Sequence, residues 1–134
     1  MKELFQDFES MKAFTKGSKL KFRDAILEYY RQVGEKQGFT VLKDSSVIAH
    51  AFNFGKVDLV WVEPNVVFTM EFGLLDDVYR HLWRIMTQKP AVAVLLLSGN
   101  SQCSPRKVKE IVSKTPELKG IEFVFLDVTS NLVV

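Results

Sequence analysis

Apolar positions follow a helical period in some stretches of this chain and a strand period in others. Over residues 2–14, Leu4, Phe8 and Met11 form one helical stripe, with Phe5 and Phe14 beside it. Thr15-Lys16-Gly17-Ser18 breaks that helix. A second helix is predicted over about 19–37, with Phe22, Ala25, Ile26, Tyr29, Tyr30 and Val33 largely inward. Gly34 weakens its end, and Gly38 suits a C-terminal cap. Residues 39–42 and 47–52 read as strands around a turn at 43–46, and Asn53-Phe54-Gly55 as another break. Residues 56–62 and 66–72 are strong strands joined at Glu63-Pro64-Asn65. Asp76 or Asp77 can cap a helix running to about Gln88, closed by Lys89-Pro90. Residues 91–97 are continuously apolar, as in a strand covered on both faces. Ser104-Pro105 starts a further helix with Val108, Ile111 and Val112 inward, and 121–128 is a final strand. Hairpins followed by strand-helix-strand units predict an α/β fold, a mixed sheet with helices on both faces.

The hairpin over 56–73 concentrates the chemistry. Proline fits poorly in tight primed turns, which favours a four-residue loop centred on Pro64-Asn65. That loop pairs Val62 with Val67, Val60 with Thr69, Asp58 with Glu71 and Lys56 with Gly73. Side chains alternate faces along a strand. Val57, Leu59 and Trp61 then share a wholly apolar face with Phe68, Met70 and Phe72. The other face turns polar at Asp58 and Glu71. Opposed residues have Cβ atoms ~5 Å apart, and like charges there are unfavourable. A divalent cation such as Mg²⁺ or Mn²⁺ relieves such a pair, and so does Lys56. The same acids also read as strand-end surface charges.

The chain has 134 residues, the size of one domain, with the helix over 1–17 packed on it. Hydrophobic residues at 47% and charged residues at 25% are those of a globular protein, and 11 Phe predict an aromatic core. A net charge of +2 permits a nucleic-acid partner without demanding one. The single cysteine, Cys103, excludes an intrachain disulfide, and two histidines are too few for a Cys/His zinc site. Acids near the N-terminus argue against a signal peptide, and the apolar run at 91–97 is too short to span a bilayer. These features predict a cytoplasmic protein with no membrane partner. There is no phosphate-binding glycine loop or nucleophile elbow. A domain of another kind, binding a small molecule or protein at the carboxyl ends of the 91–97 and 121–128 strands, stays open.

Gly38-Phe39-Thr40-Val41, Gly55-Lys56-Val57-Asp58-Leu59-Val60 and the stretch from Val66 to Glu71-Phe72-Gly73 together resemble the PD-(D/E)xK nuclease superfamily. The layout is similar to its small archaeal Holliday-junction-resolvase-like members, over roughly residues 20–100. The resemblance implies a restriction-endonuclease-like fold and a metal-dependent nuclease acting on DNA, with a homodimer as its assembly. It implies that Asp58 and Glu71 bind Mg²⁺ or Mn²⁺, joined by the Phe72 carbonyl and by an acid from the preceding helix, for which Glu28 is the candidate, though Glu28 also reads as a solvated helix residue. The metal would polarise the phosphate and lower the pKa of the attacking water. The family places a lysine where this chain has Gly73. Either the site is dead, leaving a nucleic-acid-binding or assembly subunit, or the amine comes from elsewhere. Lys56, across from Gly73 in the register above, is the nominee.

Other residues have two readings each. His81, Arg80 and Arg84 follow the motif on a helix and can meet phosphates or simply be solvated. Arg106, Lys107, Lys109 and Lys114 give the later helix a basic face able to follow a nucleic-acid backbone. His50 reads as a strand histidine, and Cys103, in a loop with no basic neighbour, as inert.

Overall fold

The buried strand predicted at 91–97 lies at the centre of a six-stranded sheet. In a computed structural model of the protein, residues 3–133 are described; residue 2, where the apolar pattern starts the first helix, lies outside them. The strands are β1 (Val41–Ala49), β2 (Phe52–Trp61), β3 (Val66–Glu71), β4 (Val92–Leu97), β5 (Glu122–Asp127) and β6 (Leu132–Val133), in that spatial order. β1, β2 and β3 form an antiparallel meander; β3, β4 and β5 run parallel, and β6 closes the edge antiparallel. The helices are α1 (Glu3–Gln6), α2 (Phe8–Gly17), α3 (Phe22–Lys36), α4 (Leu75–Gln88) and α5 (Pro105–Ser113). No helix among the described residues is long and apolar enough to cross a membrane.

The two faces of the sheet have separate cores. Phe5, Met11, Ile26 and Tyr30 from the first three helices pack on Leu59, Trp61, Phe68, Met70, Leu96 and Leu126. Val78, Leu82, Ile85 and Val108 from α4 and α5 pack on Ala93, Leu95, Leu97 and Phe125. The mixed sheet with helices on both faces is therefore as expected. Within the first core Trp61 is fully buried, stacks on Phe5 at 5.6 Å, and donates its indole N–H to the Tyr30 carbonyl at 3.1 Å.

Several boundaries differ from expectation for local reasons. Asp7 splits the first helix: its carboxylate accepts from the Ser10 N–H at 3.1 Å and starts α2 afresh. Phe22 opens α3, is exposed rather than inward, and stacks on Phe72 at 6.3 Å. Gly34 opens a gap for the Trp61 indole rather than merely weakening α3. Gly38 takes φ +84, and the Gly38 and Phe39 N–H groups bond back to the Glu35 and Gly34 carbonyls, the expected cap. Leu74, not Asp76 or Asp77, occupies the N-cap of α4, leaving those two acids in its first turn. Ser104 caps α5 ahead of Pro105 as predicted.

The largest differences lie in the meander. Residues 43–46 continue β1, and the turn falls at His50-Ala51, which take φ 51 and 65. Residues 53–55 belong to β2. The four-residue loop is present but spans 62–65, so Trp61 pairs with Val66, Val60 with Val67 and Leu59 with Phe68. The expected register is off by two residues. Asn65, at φ 56, directs its N–H to the Val62 carbonyl, and Glu63 clamps Thr40 through its N–H and hydroxyl, both at 2.6 Å. These bonds close the loop one residue early. A two-residue slip keeps each side chain on its face, so Trp61, Leu59, Phe68 and Met70 stay buried as predicted. Phe72 is only partly buried, at the margin of the same core.

Val57 is the exception. It is buried, but in a small cluster with Val47, Val60, Val67 and Phe54 on the opposite face from Leu59. The alternation of β2 therefore breaks at Asp58. Across from it in β1, Asp44 takes φ 48, a conformation aspartate tolerates, and the β1–β2 register shifts further along, between Ser46 and Ile48.

Candidate functional site

Asp58 occupies the break in β2. It is level with Asp44 of β1, between the pairs Lys43–Leu59 and Ser45–Val57, and lies just past the last β2–β3 pair, Leu59–Phe68. Its Oδ2 accepts the Met70 backbone N–H at 2.8 Å, so β2 and β3 are joined there by a side chain. Its Oδ1 lies 3.5 Å from the Arg23 guanidinium. With Arg23 about half exposed, that ion pair contributes roughly 0–1 kcal/mol.

Asp58 opens onto a cleft of about 410 Å³ between α3 and β1. Asp24 and Glu28 line it from α3, Lys43 and Asp44 from β1. The nominated Glu28 thus shares a cleft with Asp58. Its carboxylate is already held by Arg31, whose Nε donates at 2.8 Å, and by Gln32. The Arg31 hydrogen bond outweighs partial burial and keeps Glu28 below the usual glutamate range. Arg23, Lys43 and Asp44 were not singled out from the sequence. Asp44 was concealed in a stretch with turn composition, and Lys43 reaches the cleft only because that stretch is a strand.

Glu71 serves the other face. Thr69 and Glu71 alternate with the inward Phe68 and Met70, which turns Glu71 toward α4. Its Oε1 lies 3.1 Å from Nε2 of His81, and its Oε2 accepts the Gly73 N–H at 2.9 Å. Both side chains of the Glu71–His81 pair are largely shielded from solvent. Cys103 closes the same corner, donating to the Gly73 carbonyl at 3.3 Å. Burial, with the charges of Glu71 and Asp77, pushes its thiol up to about 11.

Asp58 and Glu71 are therefore not opposed, and each has its own protein partners. The β2–β3 pairing ends at Leu59 and Phe68, so Lys56 has no partner in β3 and is not set across from Gly73. Lys56 is exposed, and its carbonyl accepts from Arg84 at 3.3 Å. Asp58 and Glu28 line the cleft beside α3, while Glu71 turns to His81 on α4. Among the described residues no three His, Cys, Asp or Glu side chains are grouped to hold a metal.

Of the basic residues, Arg80, Arg106, Lys107 and Lys109 are exposed on α4 and α5, which cover the same face of the sheet. Arg84 is half-buried and clamps β2 through the Phe54 carbonyl at 2.8 Å. His50 sits exposed in the hairpin turn, away from both acids' partners. No family model, curated protein or solved structure matches the chain.

Proposed function

We propose that this chain is a nuclease-derived protein of the restriction-endonuclease-like fold that binds DNA without cleaving it. One observation carries the non-catalytic half: each carboxylate of the suggested site is engaged by a protein group. Arg23 and the Met70 N–H hold Asp58, His81 and the Gly73 N–H hold Glu71, and Arg31 holds Glu28. Protein groups stand where the resemblance calls for a metal, and glycine stands where it calls for an amine. The order of α3, β1 to β3, α4 and β4 agrees with the family layout. Arg80, Arg106, Lys107 and Lys109 on the α4–α5 face supply positive charge for a phosphate backbone.

The test combines binding and chemistry. Fluorescence anisotropy with labelled duplex, branched and single-stranded DNA, across a salt series, is expected to show salt-sensitive binding. Calorimetric titration with Mn²⁺ and a plasmid-nicking assay with Mg²⁺ or Mn²⁺ are expected to show neither tight metal uptake nor cleavage. Cleavage abolished by both Asp58→Asn and Glu71→Gln would establish the metal-dependent nuclease instead. Absence of DNA binding at low salt would remove the nucleic-acid reading.

A further inference from the structure

The outer side of α4 carries a feature that the carboxylate site does not use. Tyr79 and Trp83, one turn apart, are 51% and 61% exposed. With Phe54 of β2 and with Arg80 and Arg84 they line a groove of about 450 Å³. Three aromatic rings and two guanidinium groups form this lining, and no carboxylate does. Apolar groups that adjoin one another on a surface, rather than lying scattered, are those that mark binding sites.

The groove is braced from beneath. The Arg84 Nε donates to the Phe54 carbonyl at 2.8 Å and its Nη1 to the Lys56 carbonyl at 3.3 Å. A Cβ at Gly55 would stand 2.6 Å from both Nε and Nη2, so only glycine admits the guanidinium this close. Gly55 also takes φ +101, which other residues resist. The sequence at this point thus fixes a cation against the hairpin while leaving the rings free. Arg80, one turn before Arg84 on α4, is exposed.

We infer that this groove binds single-stranded nucleic acid, stacking unpaired bases on Trp83 and Tyr79 while Arg80 meets the backbone phosphate. The inference rests on the nucleic-acid reading above and adds the strandedness. Stacking rings beside one braced and one exposed guanidinium suit a ligand that is both planar and anionic. Base stacking tolerates any sequence because every base has a π-face. In a duplex those faces are covered, so a paired strand cannot use the groove.

Trp83 supplies its own probe, because the other tryptophan, Trp61, is fully buried. A titration with a short thymidine oligomer is expected to quench Trp83 fluorescence saturably, and an equal length of duplex is not. Trp83→Ala is expected to weaken oligomer binding about tenfold and Trp83→Phe to restore most of it. Arg80→Gln is expected to reduce the salt slope by about 0.7, the share of one single-strand phosphate. Both side chains are exposed, so circular dichroism should show these variants folded. Oligomer binding unchanged by Trp83→Ala, or DNA binding confined to duplex, overturns the inference while leaving the DNA reading in place. No binding of either form overturns both. A concentration-dependent dimer seen by sedimentation, dissociated by Trp83→Ala and indifferent to oligomer, assigns the face to a second copy of the chain and overturns the inference.

Discussion

The Asp58 carboxylate accepts the Met70 backbone N–H at 2.8 Å, bridging two strands where their backbone pairing ends at Leu59 and Phe68. An acid with this role is structural whatever else it does. Asp58→Ala leaves a partly buried N–H without its acceptor, at a cost of about 1–3 kcal/mol. Asp58→Asn keeps an accepting oxygen and loses the charge, so it is expected to cost less than Asp58→Ala. Had Asp58 faced Glu71, removing its charge would have relieved repulsion and stabilised the protein. Urea unfolding of the three proteins decides between the cases. An asparagine variant more stable than wild type would restore the opposed-acid arrangement.

Gly34 and Trp61 provide a test of the first core. A glycine in the body of a helix ordinarily gains about 1 kcal/mol on replacement by alanine. At Gly34 the new Cβ would stand 2.7 Å from Trp61 Cδ1 and 2.9 Å from Cε2. The indole cannot retreat easily, because Phe5, Phe39 and Phe68 pack around it. Gly34→Ala is therefore expected to lose about 1–3 kcal/mol. Trp61→Ala is expected to cost about 3–5 kcal/mol. In the Trp61→Ala background the Gly34→Ala penalty should vanish, a coupling that a double-mutant cycle measures.

The burial of Trp61 and Phe68 could be read from the sequence because strand periodicity depends on parity, and a two-residue slip preserves parity. The slip itself was hidden. It depends on the left-handed Asn65 and on Glu63 reaching back to Thr40, which lies 23 residues earlier. The hairpin turn was hidden for the opposite reason. His50-Ala51 carries none of the glycine or asparagine that such a turn favours, while Lys43-Asp44-Ser45-Ser46 has turn composition but forms a bent strand. Val57, paired with Ser45 of that strand, lies off the face that alternation assigned to it. Asp58 and Glu71 stood out as acids in apolar strands. Their partners Arg23 and His81 come from two different helices, and nothing in the local pattern links them.

Asp127 makes the acid side of the stability profile testable. Burial alone would push its carboxyl up. The Thr129 hydroxyl and the N–H groups of Gly99, Ser130 and Thr129 hold it below the ordinary aspartate range. A carboxyl whose folded value is depressed stabilises the fold above its unfolded value, about 3.9. That contribution is lost as pH falls through the folded value. Chemical denaturation of wild type as pH falls from neutral into the acid range should show this loss, and Asp127→Asn should show less of it while being less stable at pH 7. An equally steep acid limb in the variant would assign the loss to other carboxylates.

The missing lysine gives the last test. The Gly73 N–H donates to Glu71 Oε2, and a Cβ at position 73 would stand 2.9 Å from that same oxygen. A lysine there can enter only if the Glu71 carboxylate shifts, and its other oxygen is paired with His81. Restoring the amine therefore disturbs the acid it is meant to assist, and Asp58 remains committed to Met70 and Arg23 on its own side. Lys56 lies beyond the last β2–β3 pair, its side chain is exposed and its carbonyl is held by Arg84, and it does not line Asp58's cleft. Wild type, Gly73→Lys and Lys56→Ala are all expected to leave plasmid DNA intact with Mg²⁺ or Mn²⁺, with Gly73→Lys less stable by about 1 kcal/mol. Cleavage by wild type that disappears in Lys56→Ala would show that the amine has migrated to the neighbouring strand. Cleavage gained in Gly73→Lys would show that the two acids can still assemble around a metal once the amine is supplied. Either result would replace the binding protein proposed here with a nuclease.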